Sequence, residues 1–599
     1  MDFPDLRAFI GRLQQDRDIV SIEAPVDPDL EAAEIHRRVI AAGGPALMFR
    51  NVKGADFPLV TNLFGTPKRA ELAFGTRPLR LIRRLVQLVE TLLPPTPAKL
   101  WGARHLALDL LKVGLKHGRG GPVSEIITSD VRLDRLPAMK TWPDDGGPFV
   151  TLPLVYTQHP DGRGSNLGMY RLHVHDARTT GMHWQIGKGG GFHYQLAEAR
   201  SQALPVTVFL GGPPALILAA IAPLPENVPE MMLASLIAGD RLKVVDGPWP
   251  HPLVASAEFA LIGEVAPQVR RPEGPFGDHY GYYSLQHDYP VFAVKQLARR
   301  RDAIFPATVV GKPRQEDFFI GDLLQELLSP LFPLVMPAVQ QLWSYGETGY
   351  HALAGAVVKQ RYAREAMASA FRILGEGQLS LTKFLLVTDQ AVDLKDFRAT
   401  LEHVLARTRP ETDLYVFSHL SMDTLDYSGP EVNKGSKGVW LGLGEAVREL
   451  PRQFSAAEVP LGVRDVRVFC GGCLAVEAPS YTEEPDVAAR IAAHGAFAAW
   501  PLVVVTDDAR RAAKSVMNFL WTTFTRFEPA ADITARERRL VRNHVAYTAP
   551  VVIDARMKPG YPPEVSGRPD VAATVTRRWR EYFPSGGVEM GDAERAHLD

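Results

Sequence analysis

The residues of this 599-residue chain that could do chemistry gather in four short stretches. Asn166-Leu167-Gly168-Met169-Tyr170-Arg171 sets an amide, a phenol and a guanidinium side by side. His183-Trp184-Gln185-Ile186-Gly187-Lys188-Gly189-Gly190-Gly191 is a glycine run behind an imidazole and an indole. Free backbone N–H groups in such a run, with a lysine, can cradle a phosphate, although the same pattern is often a plain turn. Pro272-Glu273-Gly274-Pro275-Phe276-Gly277-Asp278-His279-Tyr280-Gly281-Tyr282-Tyr283 places two carboxylates among four aromatic rings. Carboxylates desolvated in that way have raised pKa values and suit proton transfer, particularly beside an arginine that holds the partner group. The plainer reading of acids on a Gly/Pro-rich loop is surface charge. Arg171 is the candidate arginine, and only a fold can bring it to Glu273 and Asp278. The fourth stretch is Asn433-Lys434-Gly435-Ser436-Lys437-Gly438.

Several kinds of element must position these stretches. Leu6, Phe9, Ile10 and Leu13 form a helical stripe after Asp5, and Ala32–Ala42 predicts a second helix stopped at Gly43-Gly44-Pro45. With short buried strands at Ala46–Phe49 and Leu59–Thr61 they make an α/β start, assigned with a helical insertion to residues 1–122. From 123 to 310, apolar runs such as Pro205–Leu210, Glu258–Ile262 and Val291–Val294 are punctuated by Gly and Pro. That texture predicts a β-rich domain, a barrel with helical insertions. Helix–strand alternation returns over 311–454, with Lys383–Val387 and Asp413–Phe417 as strands around the helix Leu394–Arg407. The remaining 455–599 is an extension. Phe384–Asp389 (FLLVTD) is echoed by Leu502–Asp507 (LVVVTD), and each leads through a helix to a similar tail, Arg409 to Asp413 and Arg526 to Asp532. This is either a duplicated strand–helix unit or the chance likeness of two buried strands.

Composition narrows the class. Lys+Arg number 67 against 68 Asp+Glu, a net charge of -1, so no global field draws the chain to nucleic acid or an anionic membrane. At 46% hydrophobic and 23% charged residues it reads as globular, with a length suited to several domains. The most apolar window, Leu323–Trp343, is broken by Pro330, Pro333 and Pro337, so no transmembrane span is expected. Residues 77–119 carry Arg77, Arg80, Arg83, Arg84, Arg104, Lys112 and Lys116 among Leu and Val; a pair of solvated helices is the expectation, with peripheral membrane contact as the alternative. Two cysteines make no disulfide framework, and Cys470-Gly471-Gly472-Cys473 reads as a tight strand turn more readily than as a zinc or redox motif. The start MDFPDLRAFIGRL has no apolar signal core, so a cytoplasmic location is expected.

The Asn166–Arg171 and Pro272–His279 stretches, with Gly43–Phe49 (GGPALMF), Thr61–Arg69 (TNLFGTPKR) and Gly435-Ser436-Lys437, resemble the hallmarks of the UbiD family of decarboxylases over roughly residues 5–440. The resemblance implies a central split β-barrel that binds prenylated FMN and a reversible, non-oxidative decarboxylation of an aromatic acid, phenolic or a quinone precursor. It implies Mn²⁺ or Mg²⁺, with K⁺ as a companion, and a flavin prenyltransferase as cofactor supplier. Residue by residue it assigns Arg171, Glu273 and Asp278 to catalysis, with Asp278 as proton donor, protonated with the help of its aromatic neighbours. Met169, Tyr170, Arg171, His183, Trp184, Gln185, Lys188, Gly189 and Lys437 fall to the flavin, and Asn166 and Glu230 to the metal. It also implies a homodimer or homohexamer. One departure stands out: relatives often carry histidine where Gly187 and Gly189–Gly191 stand, leaving water, His183 or His193 as third metal ligand. An FMN oxidoreductase and a non-catalytic member of a carboxylase complex are the alternatives.

Overall fold

Apolar runs between turns build the first sheet, in the order Ile19–Ile22, Ala46–Phe49, Leu59–Thr61, Phe305–Pro306. The helix Leu6–Gln15 packs on it because Leu6, Phe9, Ile10 and Leu13 share one buried face and Asp5 caps its start, accepting from Ala8 N at 2.8 Å. The second predicted helix spans Glu31–Ala41. This computed structural model describes residues 3–592 apart from 76, 93–95, 97–112, 185–188, 223, 225–227, 312–313 and 457. The chain divides into two units, Met1–Leu327 with the segment from Glu564, and Leu328–Pro563.

The core of the first unit is a seven-stranded sheet ordered Thr179–Gly181, His287–Arg299, Phe259–Glu273, Leu204–Leu210, Leu154–Gln158, Ser165–Gly168, with Ile126–Thr128 also on His287–Arg299. Every pairing is antiparallel. The two longest strands bulge at Ile262/Gly263 and Val265/Arg270, which bends them and adds twist. Gly263 permits the first bend: a Cβ there would sit 2.0 Å from the Ala293 carbonyl oxygen. Among the described residues the two ends of this path are not hydrogen-bonded to each other, so the sheet is open where a split barrel was expected.

The second unit holds two five-stranded sheets. The first runs Val339–Ser344, Leu353–Val358, Phe384–Thr388, Lys434–Gly442, Leu414–Ser421; the second runs Asp465–Cys470, Cys473–Glu477, Leu502–Thr506, His544–Asp554, Ile533–Val541. The span 455–599 is therefore divided. Its sheet lies in the second unit, while the helix Pro569–Tyr582 belongs to the first unit, where Arg578 pairs with Glu31 and Arg38 Nη1 donates to Thr576 Oγ1 at 3.2 Å.

Arg77–Leu92 is a helix with Arg80, Arg83 and Arg84 exposed; the second helix expected before residue 119 falls largely outside the described residues. Among the described residues one helical stretch, Glu316–Val335, is long and apolar enough to cross a membrane by length and composition, and it overlaps the apolar window singled out in the sequence. Cys470 and Cys473 are free, buried and paired across a strand turn.

Candidate active site

Arg171, Glu273 and Asp278 meet in the first unit, brought together by the ends of three strands. Glu273 closes the strand Phe259–Glu273, and Gly274, at φ 89°, turns the chain through a backbone region that favours glycine. Phe276–Gly277 then pairs with Tyr283–Ser284, so that Asp278 sits in the hairpin between them. Gly277 N donates to Asp145 Oδ1 at 2.7 Å, which ties the hairpin to the chain before the sheet. Arg171 stands just before the strand Leu172–His173.

Its guanidinium is divided between the acids. Nε donates to Glu273 Oε1 at 2.9 Å, Nη1 to Asp278 Oδ2, and Nη2 to Ser284 Oγ at 2.9 Å. The Phe276 ring lies 4.5 Å from the guanidinium carbon. Glu273 also holds His183 Nδ1 at 2.9 Å, and Asp278 Oδ1 accepts from His279 N at 2.7 Å and lies 2.6 Å from His279 Nδ1. Glu273 is fully buried and Asp278 nearly so, behind the buried rings of Phe276, Tyr280, Tyr282 and Tyr283.

The electrostatics correct one expectation. Burial would raise the pKa of Asp278, but the His279 hydrogen bond and the Arg171 charge outweigh it and hold the acid well below the usual carboxylate range. The aromatic walls therefore do not keep Asp278 protonated. Glu273 is likewise depressed, to about 2, by Arg171 and His183 against burial. Burial, then the neighbouring Arg171 charge, lowers the pKa of His183. Asp317, in the first turn of the helix Glu316–Leu328, is pushed up to about 6 by burial, with the His279 charge opposing and Asp278 adding.

The residues assigned to metal and flavin form a second cluster. Glu230 Oε2 accepts from Leu167 N at 2.9 Å, beside Asn166, and burial raises the Glu230 pKa. Among the described residues Asn166 Nδ2, His183 Nε2 and Trp184 Nε1 are buried without a hydrogen-bond partner. A Cβ on Gly189 would lie 2.1 Å from Asn166 Oδ1, and one on Gly190 2.7 Å from Trp184 Nε1. Glycine at these positions lets the helix Gly189–Ala199 approach Asn166, and a histidine would not fit there. Of the other third-ligand options, His183 is tied to Glu273, and His193 Nδ1 lies 2.9 Å from Thr157 Oγ1. Met169 packs against the apolar cluster under this site, and Tyr170 against the main core. Gln185 and Lys188 lie outside the described residues. Lys437 is in the second unit, on the strand Lys434–Gly442, buried and donating to the Thr382 carbonyl at 2.9 Å. Among the described residues no group of three His, Cys, Asp or Glu side chains is arranged to hold a metal.

Ser284, His279 and Asp317 join the site without having been singled out from the sequence. Only His279 carried a signal, its place next to Asp278; Ser284 and Asp317 arrive through hairpin pairing and a helix start that no local pattern marks.

Residues 10–89, 116–313 and 318–442 match, in turn, the N-terminal, Rift-related and C-terminal domains described for 3-octaprenyl-4-hydroxybenzoate carboxy-lyase. The fold is similar to that of the vanillic acid decarboxylase of Sedimentibacter hydroxybenzoicus in closed form, with a TM-score of 0.66 at 22% identity over 76% of this chain and 96% of that one. It is also similar to the UbiD-class enzyme HmfF from Pelotomaculum thermopropionicum in complex with FMN, at TM-score 0.62 and 22% identity over 76% of this chain and 97% of that one. These likenesses define the architecture as a mixed α/β, multidomain fold of the UbiD class. A Chlamydia pneumoniae protein named as a subunit of 4-hydroxybenzoate decarboxylase is 50% identical over 583 residues, 97% of this chain and 98% of that protein. A protein of Chlamydia caviae is 49% identical over 585 residues, 98% of this chain and all of that protein. The chain belongs to the UbiD family.

Proposed function

We propose that the site catalyses reversible, non-oxidative decarboxylation of a phenolic or quinone-precursor aromatic acid, with prenylated FMN as cofactor. The observation that carries the reading is one buried arginine shared by two carboxylates, Glu273 at 2.9 Å and Asp278 beside it. Loss of CO₂ leaves an electron pair on carbon, and the flavin when bound supplies the electron sink that no side chain here offers.

The chain's own residues handle the proton. Asp278 is ionised in the free site, held so against burial by the His279 hydrogen bond and the Arg171 charge, so it acts as a relay and not as a stored acid. A proton arriving through His279 passes over Asp278 to the carbon that loses CO₂, so that carboxylate plus proton gives C–H plus CO₂. His279 Nδ1, 2.6 Å from Asp278 Oδ1 and 28% exposed as a side chain, is the route by which the proton reaches the buried acid. His183 and Arg171 fix the Glu273 carboxylate from two sides. The surrounding rings exclude water, which strengthens each of these interactions.

The second cluster fits a flavin phosphate with a divalent cation. A half-buried Glu230 with a raised pKa and the Asn166 amide oxygen are hard oxygen donors of the kind Mn²⁺ and Mg²⁺ take, and they would hold the ion. The backbone of the glycine helix start would face the phosphate's negative charge. Lys437 is assigned to the cofactor by family resemblance and by its chemistry, an ammonium bonded to a neutral carbonyl.

The name of the Chlamydia pneumoniae relative makes 4-hydroxybenzoate the first acid to test, and its designation as a subunit favours work inside a multi-subunit enzyme. The test is the mass and absorption of flavin released from protein co-expressed with a flavin prenyltransferase, followed by CO₂ release and H/D exchange with 4-hydroxybenzoate. Prenylated FMN with exchange into the acid is the expected result. Plain FMN with NAD(P)H consumption would replace this reading by the oxidoreductase. No flavin with manganese supplied would leave the non-catalytic member of a complex.

A further inference from the structure

The two sheets of the second unit share more than a strand order. In each, the first pair is antiparallel, the next two are parallel and the last is antiparallel. Registers correspond as well: Phe384 faces Gly438 as Leu502 faces Val551, and Leu414 faces Trp440 as Ile533 faces Ile553. Small details recur. Asp389 Oδ1 accepts from Gly444 N at 2.9 Å, and Asp507 Oδ2 from Met557 N at 2.9 Å. Asp413 Oδ2 accepts from Arg409 N, and Asp532 Oδ2 from Glu528 N, both at 2.7 Å.

The contacts between the sheets are reciprocal. The short helix Pro410–Asp413 of the first lies on the strand His544–Asp554 of the second, and the matching helix Pro529–Asp532 lies on Lys434–Gly442 of the first. His544 Nε2 meets the Glu411 carbonyl at 3.2 Å, while Ala530 N donates to Ser436 Oγ at 2.8 Å. Phe384 packs on Phe524 and Phe527, and Phe397 on Phe519. Like parts touching like parts is the signature of a two-fold, self-complementary interface.

We infer that the second sheet is an internal partner: it occupies, within one chain, the surface through which two copies of the first sheet would pair. The chain therefore does not pair with another chain through that surface. The partner is not an equal. The registers set Pro550 where the first sheet has Lys437, and the proline before Leu502, Pro501, where it has Lys383. The second sheet keeps the fold, lacks the buried lysines and braces those of the first. The Phe527 ring lies 5.3 Å from Lys383 Nζ, and Ala530 holds Ser436 next to Lys437. This inference does not depend on the proposed reaction.

The test uses the full chain with protease sites inserted at the exposed Leu461, which is 86% accessible, and at the exposed turn at Gly560. Cutting both leaves only non-covalent contacts between the second sheet and the rest. The released piece should co-elute with the remainder, and Phe527→Ala with Phe524→Ala should separate them. A piece that elutes alone without those substitutions would overturn the inference. Light scattering and cross-linking of the uncut chain give the independent arm. A single-chain mass, or a larger assembly cross-linked elsewhere, agrees with it; links joining 410–421 of two chains would overturn it.

Discussion

Each unit buries a cluster of charge, and the two are balanced differently. In the first unit one cation, Arg171, serves both Glu273 and Asp278. In the second, Lys383 pairs with Asp426 at 2.7 Å, His351 meets Asp423, and Lys437 donates to a carbonyl. Burying any ion costs several kcal/mol unless it is paired, so both clusters are fully connected. What differs is how the cation is shared: the Arg171 guanidinium bridges two carboxylates, each also bonded to a histidine, whereas the Lys383 ammonium pairs with one. A carboxylate in the bridged set can exchange a proton with its histidine while the arginine stays paired to the other; among the described residues Asp426 has no such histidine beside it. Burial and pairing alone thus do not mark a reactive site, whereas a bridged cation with titratable neighbours does.

The largest effect expected is from cutting the two cations out. Arg171→Met and Lys383→Met each strand buried carboxylates, and each should cost about 3–5 kcal/mol in urea unfolding. Their turnover should part company: none measurable per flavin-loaded Arg171→Met molecule, and nearly normal for Lys383→Met. Equal loss of turnover in both would dissolve the distinction.

Next comes the proton itself. Asp278→Asn should keep its flavin and lose at least ~10²-fold in turnover, the scale of a missing general acid. Asp426→Asn should be destabilised with turnover kept. Full activity in Asp278→Asn would remove that residue from the reaction.

The acid limb sharpens the comparison without any assay of activity. Glu273 is held at about 2 in the folded chain, against an unfolded value of about 4.3. Its folded pKa is depressed, so its contribution, roughly 2–3 kcal/mol, is present above pH 4.3 and lost as pH falls toward 2. Urea midpoints measured down that range should fall more steeply for the wild type than for Glu273→Gln. Parallel curves would mean that Glu273 is not ionised in the fold.

Much of this was legible in the sequence, for physical reasons that differ by region. The helix Leu6–Gln15 and the strand Leu502–Thr506 follow from apolar spacing, which burial enforces directly. The order and spacing of the Pro272–His279 loop pointed to the family, and Glu273, Arg171 and Asp278 are adjacent in space. What the sequence could not supply was the balance of forces. Aromatic neighbours argue for a protonated Asp278 only until the distance to Arg171 and the His279 hydrogen bond are known. Gly189 read as a missing ligand, yet its lack of a side chain is what lets the helix reach Asn166. The path of the residues after Pro563 back to the first unit, through Arg578 and Glu31, rests on pairing across more than five hundred residues, which no local pattern encodes.

The smallest effect concerns Lys437, the lysine of the second cluster that is bonded to a neutral group. Burial, with Lys383 adding, brings its pKa down to about 8, against the pull of Asp426 and Asp423. The folded value lies below the unfolded one near 10.4, so the fold carries the full cost of that charge below pH 8 and sheds it as pH rises from 8 toward 10.4. Lys437→Met should therefore stabilise the protein at neutral pH, by about 1–2 kcal/mol, with the gain shrinking above pH 8. On the proposed cofactor role of Lys437, flavin retention should move the other way, weakening roughly tenfold, the scale of a lost charge-assisted hydrogen bond. A buried charge that the fold tolerates at a cost is then one kept for a ligand. Stability and retention both unchanged in Lys437→Met would place this lysine with Lys383, as part of the scaffold, and leave the reactive work of a buried cation to Arg171.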